Sequence, residues 1–287
     1  MRSRLILGTV QLGLDYGINN QSGKPNLDEA FRILDCAREA EVKGFDTAAA
    51  YGNAHEVLGK WFKSRKDAEV PVYTKFAPGT ALTEGLADQF LRELHVNRLA
   101  GLSFHRLADF RTNHAHRREE LMELVYHPSI GKIGVSMHSN DEIDFCVHRE
   151  HIQLVQFPYN ALDNASQRAE IMAIADDNDM EMHTRSVFLQ GLFFRQDIPE
   201  KLQPLSSSIA AIRQMATETG IELGQLLLAY ALNSKSHGVL VGVENVRQLE
   251  EIVTWADNAT AVPAEVLSVI DEIKIQNTLL LNPANWS

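Results

Sequence analysis

Hydrophobic residues along the chain follow two patterns that alternate eight times. Short, nearly continuous apolar runs are typical of parallel strands with both faces covered, and segments with an apolar residue every three or four positions are typical of amphipathic helices. The predicted strands are Leu5–Leu12, Phe45–Ala48, Val70–Phe76, Ala100–His105, Lys132–Met137, Leu154–Tyr159, Glu181–Val187 and Gly238–Val243.

The helical segments between these strands carry an apolar face and, in places, end signals. Leu27–Glu41 and Thr83–Leu94 each place alanine, leucine or other apolar residues on one side of a predicted helix. Gly44 is predicted to end the first of these helices, just before a strand. Asn53 and Glu56 have the spacing of a capping box, which predicts another helix start at Asn53.

The alternation predicts an α/β protein, and specifically a closed (β/α)8 barrel. No linker divides the chain, so residues 1–287 are expected to form one domain. A doubly wound open sheet is the alternative, but a dinucleotide-binding sheet requires GxGxxG after its first strand, whereas Gly8–Gly13 has the spacing GxxxxG. In a barrel, the catalytic groups lie at the C-terminal ends of the strands.

Four polar residues occur at the ends of three consecutive predicted strands. Asp46 and Tyr51 follow the second strand, Lys75 ends the third, and His105 ends the fourth. Because neighbouring strands of a barrel open onto one mouth, we expect these four side chains to lie close together.

These four side chains are suited to acid catalysis by a phenol. A tyrosine has a pKa near 10, and a neighbouring ammonium is expected to lower the pKa of Tyr51. Asp46 would keep Lys75 charged, and His105 could donate a hydrogen bond to a carbonyl oxygen. Taken singly, each residue has a structural explanation: a turn, a half-buried aromatic, a solvated charge or a core histidine.

Composition and charge narrow the possible partners. The chain has 45% hydrophobic and 23% charged residues, which is ordinary for a packed protein, and its net charge is -11. A chain this acidic is not expected to bind nucleic acid or an anionic membrane. It has neither a signal peptide nor an apolar stretch of roughly 18 residues, so we expect a cytoplasmic protein.

The cysteines and the paired histidines do not predict a metal site. Cys36 and Cys146 lie far apart within apolar helical patterns and are expected to be buried thiols in a reducing compartment. His114 and His116 lie two positions apart, which suits no helix face, and no third ligand is nearby in the sequence.

A series of short motifs resembles the aldo-keto reductase superfamily, and the order of the motifs is that of the family. The motifs are Asp46–Asn53 with Glu56 and Leu58–Gly59, Thr74–Lys75, Phe104–Arg106, Ile133–Ser136, Val155–Asn160 and Leu189–Leu192. The opening Gly8–Gly17 and the closing Asn282–Trp286 are most similar to a bacterial subgroup of that family. The resemblance implies an NAD(P)H-dependent carbonyl reductase on a (β/α)8 barrel.

The resemblance also assigns roles to the four polar residues. Tyr51 would be the general acid in reduction and the base in oxidation. Lys75 would lower the pKa of Tyr51, Asp46 would pair with Lys75, and His105 would orient the carbonyl group. These roles agree with those reached from the chemistry of the residues alone.

Further family positions imply the cofactor contacts at the nicotinamide end. Ser136 and Gln156 would hold the carboxamide, although Met137 replaces the asparagine that usually follows Ser136. Arg185 stands where many members stack an aromatic ring on the nicotinamide, and a guanidinium can also stack on a planar ring. The alternative is that Arg185 pairs with a nearby carboxylate.

The stretch around the last predicted strand would receive the adenosine end of the cofactor. Gly242, Glu244 and Arg247 lie there, and Arg247 matches a position that contacts the 2′-phosphate of NADP. The family therefore favours NADP(H). Glu244 disfavours a phosphate and could bond a ribose hydroxyl, so NAD(H) is the alternative.

The substrate is expected to be a small carbonyl compound. The loop Gly13–Pro25 would overhang the mouth, which offers Tyr16 and Lys24 for substrate contacts, and Trp286 could close over the site from the C-terminus. The leading function is reduction of an aldehyde or ketone, including sugar-like ones. The alternatives are an aldose or secondary-alcohol dehydrogenase working in the oxidative direction, or a non-catalytic regulatory subunit that binds the cofactor. The oligomeric state is left open.

Overall fold

A computed structural model describes residues 1–20 and 22–286. Within these residues, eight parallel strands form a closed barrel in chain order, and β8 pairs with β1. The strands are β1 Leu5–Gly8, β2 Gly44–Asp46, β3 Val72–Lys75, β4 Gly101–Phe104, β5 Ile133–Ser136, β6 Leu154–Pro158, β7 Glu181–Arg185 and β8 Gly238–Gly242. The prediction of a (β/α)8 barrel is confirmed.

Helices surround the barrel, and short 3₁₀ segments occur at both ends of the described chain and in its loops. The α-helices are α1 Val10–Gly13, α2 Leu27–Glu39, α3 Ala54–Ser64, α4 Leu86–Leu94, α5 Leu107–His116, α6 Arg118–Val125, α7 Asn140–Val147, α8 Ala165–Asp177, α9 Ser206–Thr219, α10 Leu223–Leu232, α11 Val246–Asp257 and α12 Ala264–Ile270. The 3₁₀ segments are Arg2–Arg4, Leu189–Phe194, Glu200–Leu205, Ala259–Ala261, Thr278–Leu281 and Pro283–Asn285. No helix of the described residues is long and apolar enough to cross a membrane.

The strands are shorter than predicted, because apolar residues continue past the strand ends into the loops. The first predicted strand, Leu5–Leu12, stops at Gly8, and its apolar continuation forms the single helical turn α1. The first long helix likewise ends at Glu39 instead of Glu41. Gly44 does not end this helix but is the first residue of β2.

The predicted capping box at Asn53 does not form. Asn53 is the N-cap residue of α3, but its side chain makes no capping hydrogen bond. Its Oδ1 instead accepts a hydrogen bond of 2.8 Å from the Lys24 ammonium, which lies on the loop after α1. A complete capping box occurs at α7, where Ser139 and Glu142 satisfy each other's backbone amides.

The two predicted buried thiols differ in their surroundings. Cys146 in α7 is buried, and burial raises its pKa to about 12. Cys36 in α2 is only partly buried, which corrects the expectation for that residue. The described residues contain no group of three or more metal-ligating side chains.

Inside the barrel, a lower layer of side chains lies beneath the C-terminal mouth. Ile6, Tyr73, Leu154 and Leu240 form a hydrophobic cluster separate from the main core between strands and helices. The ring of Tyr73 packs edge-on against buried His183, at 4.7 Å between centroids.

Glycines leave the space that these two rings occupy. A Cβ at Gly101 would lie 2.9 Å from Tyr73 Cδ1, and a Cβ at Gly238 would lie 3.0 Å from His183 Cδ2. His183 Nε2 bonds to Glu181 at 2.8 Å, and Glu181 also pairs with Lys132 at 2.6 Å near the opposite end of the barrel.

Helix α1 positions the loop that follows β2. A Cβ at Gly13 would lie only 1.8 Å from the carbonyl oxygen of Tyr51 and 2.7 Å from the amide nitrogen of Ala54. These neighbours are backbone atoms and cannot rotate away. A side chain at position 13 is therefore incompatible with the present path of the Tyr51 loop.

We predict that Gly13→Ala lowers the free energy of unfolding by more than about 3 kcal/mol, because the new methyl group overpacks two backbone segments. Urea denaturation measures this change. Gly220→Ala is the control, since Gly220 has a φ of 68° with nothing within 4 Å of its Cβ position, so only backbone strain of about 1–2 kcal/mol is expected. Equal losses in the two variants would contradict the role of Gly13.

Candidate active site

An ion pair lies at the C-terminal ends of β2 and β3. Asp46 is 3% exposed and Lys75 is 2% exposed. The Lys75 ammonium donates to both carboxylate oxygens of Asp46, at 2.5 Å and 2.7 Å, and to the carbonyl oxygen of Thr47 at 3.2 Å. Its three N–H groups therefore each have an acceptor.

The surroundings of Lys75 favour its charged form. Burial by itself would lower the pKa of Lys75, but the attraction of Asp46, with a smaller one from Tyr51, raises that pKa above its ordinary value. A positive charge is thus held permanently beneath the mouth of the barrel. The expectation that Asp46 pairs with Lys75 agrees with this geometry.

Tyr51 lies on the loop between β2 and α3 and is half-buried. The Lys75 ammonium is 5.5 Å from the centroid of its ring. Burial raises the pKa of Tyr51, and Lys75 opposes this effect without reversing it. The sequence-based expectation of a lowered pKa is therefore wrong in its net direction, although Lys75 acts in the expected sense.

His105 follows β4 and faces Tyr51. The two rings meet edge to face, with centroids 5.9 Å apart. Burial and the charge of Lys75 lower the pKa of His105 to about 4, so the imidazole is neutral at pH 7. Its Nδ1 is buried and has no hydrogen-bond partner among the described residues.

Ser136 ends β5 and Gln156 lies within β6, at the same mouth of the barrel. Both residues are buried. The side-chain Nε2 of Gln156 donates to Asp46 Oδ2 at 2.9 Å. The role predicted for Gln156 from the sequence concerns the cofactor only and does not include this contact. No local signal could have revealed it, because the two residues are 110 positions apart.

Arg185 ends β7, and its guanidinium is held by the loop after β5. Its Nη2 donates to the carbonyl oxygen of Met137 at 3.0 Å and lies 3.1 Å from His138 Nε2, while Nη1 donates to Ser186 Oγ at 3.3 Å. Among the described residues no carboxylate forms an ion pair with Arg185, so the alternative explanation of this arginine is not observed. Burial is the main cause that lowers the pKa of His138 to about 3, and the positive charge of Arg185 is the next.

A second guanidinium holds the same loop from the outside. Arg168 in α8 pairs with Asp163 at 2.6 Å and donates to the carbonyl oxygen of His138 at 2.6 Å and to Asn140 Oδ1 at 2.7 Å. The segment after β5 is therefore fixed between two arginines. Arg168 and His138 are not predicted from the sequence, since both contacts depend on the path of this loop.

An unpaired polar atom of Gln11, in α1, lies beside the C-terminal end of β8. Gly242 lies against the side chain of Gln11, whose nitrogen would be 2.6 Å from a Cβ at this glycine. Gln11 Oε1 is buried and has no hydrogen-bond partner among residues 1–20 and 22–286. A ligand with a hydrogen-bond donor would satisfy this oxygen.

The start of α11 is surrounded by carboxylates. The amide of Val246 donates to Glu29 Oε1 at 2.8 Å, a contact from α2 that sequence analysis missed. Burial raises the pKa of Glu244, and Asp15 adds to this shift. Arg247 is mostly exposed and lies 3.3 Å from a carboxylate oxygen of Glu251. The side chain predicted to contact a 2′-phosphate thus already has an acidic partner.

The three expected substrate residues have different positions. Tyr16 accepts a hydrogen bond of 2.9 Å from Gln190, which joins the first loop to the loop after β7. Lys24 bonds to Asn53, two residues from Tyr51. The indole of Trp286 donates to a carbonyl of the C-terminal 3₁₀ segment, and the described contacts of Trp286 include none to the four polar residues.

The chemistry of this mouth fits a nicotinamide cofactor. The four polar residues can move a proton and orient a carbonyl group, but no side chain among them can donate a hydride. The buried, unpaired Gln11 Oε1 beside Gly242 can accept a hydrogen bond from a polar ligand. Ser136 and Gln156 bring a buried hydroxyl and a buried amide to the same mouth from β5 and β6.

Comparisons with known proteins agree with this interpretation. The sequence profile described as Aldo/keto reductase family matches residues 4–275. "Aldo-keto reductase str7" of Strobilurus tenacellus is 23% identical over 255 residues, which are 79% of this chain and 76% of that protein. The solved structure of the aldo-keto reductase AKR11C1 from Bacillus halodurans superposes with a TM-score of 0.74 and 18% identity, over 96% of this chain and 94% of that one. The structural likeness supports the barrel fold.

We predict that His105 makes the protein less stable in acid. The unfolded chain binds a proton at His105 near pH 6.5, whereas the folded state does so only near pH 4, so stability falls as the pH drops through this window. The contribution is on the order of 2 kcal/mol between pH 7 and pH 4.5. Denaturant titrations at several pH values measure it. His105→Gln should show a smaller loss than the native protein, and an identical loss would contradict the assignment.

Proposed function

This chain belongs to the aldo/keto reductase family, and we propose that it reduces a small aldehyde or ketone, including sugar-like ones, to an alcohol. The family profile covers residues 4–275, so the chain is an oxidoreductase that acts on carbonyl groups with NAD(P)H. The catalytic residues, the direction and the substrate are our proposal. The observation that carries it is the buried Asp46–Lys75 pair beneath Tyr51.

Tyr51 supplies the proton to the carbonyl oxygen. Its raised pKa means that it keeps this proton at neutral pH, as a proton donor for carbonyl reduction must. NAD(P)H, when bound, supplies the hydride. As Tyr51 gives up its proton, the Lys75 ammonium stabilises the phenolate that remains, and Asp46 keeps Lys75 charged through both stages.

His105 orients the carbonyl group. A neutral imidazole has one N–H to donate, and the lowered pKa of His105 keeps the ring neutral at pH 7. Because the rings of His105 and Tyr51 are in contact, their polar groups are close enough for one carbonyl oxygen at the rim of this pair to accept from both. A neutral donor polarises this oxygen while Tyr51 remains the proton source.

The remaining predicted residues hold the cofactor and the substrate. Ser136 and Gln156 would bind the carboxamide, and Arg185 would lie against the nicotinamide ring. Gly242, Glu244 and Arg247 would contact the adenosine end of the cofactor. Tyr16 and Lys24 contact the substrate from the first loop.

We propose NADP(H) as the cofactor because the family favours it. The carboxylates of Glu29 and Glu244 near the start of α11 support NAD(H) as the alternative. Separate fluorescence titrations with NADPH and NADH distinguish the two.

We predict that Tyr51→Phe lowers kcat for carbonyl reduction by at least about a hundredfold, because the proton donor is lost. Cofactor oxidation is followed with a panel of aldehydes, ketones and sugars, and cofactor affinity should stay within a few-fold of native. Tyr126→Phe is the matched control, since Tyr126 is 77% exposed on the surface. Full turnover in Tyr51→Phe would refute the assignment.

The same panel tests the alternatives. Oxidation of alcohols or aldoses without measurable carbonyl reduction would favour the dehydrogenase. Cofactor binding without turnover of any carbonyl or alcohol would favour the regulatory subunit.

We predict that Arg185→Ala raises the dissociation constant of the cofactor roughly tenfold, because a cation stacked on a ring is lost. Fluorescence titration measures it. Arg149→Ala is the control, since its guanidinium also lies over a ring, that of Phe145, at 4.2 Å from the centroid. Unchanged affinity and turnover in Arg185→Ala would exclude the stacking contact.

A further inference from the structure

Gln156 makes a contact across the inside of the barrel that the proposed function does not use. Its Nε2 lies 2.9 Å from Asp46 Oδ2, and both residues are 3% exposed. In a barrel of eight strands in chain order, β2 and β6 lie on opposite sides. The amide therefore reaches across the interior to the carboxylate that holds Lys75.

The hydrogen bonds of Asp46 settle which way this amide is turned. A carboxylate only accepts hydrogen bonds, so the NH2 group of Gln156 must face Asp46. Asp46 Oδ1 accepts from Lys75, and Oδ2 accepts from both Lys75 and Gln156. The described residues show no other donor to this side chain, so Lys75 and Gln156 together hold the carboxylate.

The opposite end of the same amide is available for a ligand. Gln156 Oε1 makes no hydrogen bond to a described residue. It is the atom that would accept from the carboxamide of the cofactor in the proposed function. One side chain thus connects the expected nicotinamide position with the buried ion pair.

We propose that Gln156 is a positioning residue for the Asp46–Lys75 pair and thereby tunes the acidity of Tyr51. This inference rests on the proposed function for its catalytic consequence, whereas its structural part concerns the protein alone. The N–H dipole of Gln156 presents its positive end to Asp46, which fixes the carboxylate against Lys75 and favours the phenolate of Tyr51.

Other charged and titratable groups surround this pair and act alongside Gln156. They are Tyr51, Tyr73, His105, His183 and Arg185. None of them bonds to the carboxylate of Asp46 in the described structure. Removing the Gln156 amide therefore changes the hydrogen bonding of Asp46 while these groups keep their places.

The test replaces Gln156 with methionine, which has nearly the same length and shape but donates no hydrogen bond. In cofactor-free protein with ¹³Cζ-labelled tyrosine, we expect the titration midpoint of Tyr51 to rise by on the order of one pH unit. Tyr51→Phe identifies the signal. In the complete enzyme, the alkaline limb of the pH profile of kcat should move upward in the same way.

A second variant keeps the test informative if methionine disturbs the fold. Gln156→Glu introduces a carboxyl group that can donate to Asp46 only while it is protonated. Its ionised form places two negative charges together. We expect kcat of this variant to be confined to a lower pH range than that of the native enzyme.

Ser136→Ala is the matched control, since Ser136 ends a neighbouring strand at the same mouth and makes no hydrogen bond to Asp46 in the described structure. It should raise the KM for the cofactor without moving the Tyr51 titration or the pH profile. If Gln156→Met behaves like Ser136→Ala, the inference is overturned. If the native protein reduces no carbonyl compound, the proposed function fails, and the cofactor-free titration still decides the role of Gln156.

Discussion

The ammonium of Lys75 lies inside a closed barrel, where the loss of water disfavours any charged group. It stays charged because Asp46 and Thr47 accept all three of its N–H groups. Breaking such a buried pair typically costs about 3–5 kcal/mol. The ends of two adjacent parallel strands provide the rigid frame that this geometry requires, and the other polar groups of the mouth are arranged around the pair.

Tyr51 shows how burial and charge compete at this site. The same enclosure that strengthens the influence of Lys75 also removes water from the phenol, and the second effect is larger. For His105, burial and the positive charge of Lys75 act in the same direction, since both lower the pKa of the imidazole and keep it neutral. The same enclosure thus keeps the phenol of Tyr51 protonated and the neighbouring imidazole of His105 neutral at pH 7.

The sequence predicted the barrel and the meeting of Asp46 with Lys75, because strand ends in a barrel follow from strand order alone. It did not predict where strands stop. The sequence pattern of Leu5–Leu12 is compatible with either a strand or a helical turn in its second half. The contact between Gln156 and Asp46 could not be predicted from the sequence either, since it depends on how far opposite strands are shifted along the barrel axis.

The lower layer of the barrel has a consequence for protein engineering. Tyr73 and His183 fill the interior beneath the ion pair, and Gly101 and Gly238 leave the space for their rings. Grafting only the polar residues of the mouth onto another barrel would place them above a floor of different shape. A transplanted site would also need these two aromatic rings and the two glycines. The smallest unit that can be transplanted therefore includes both the polar layer of the mouth and the layer beneath it.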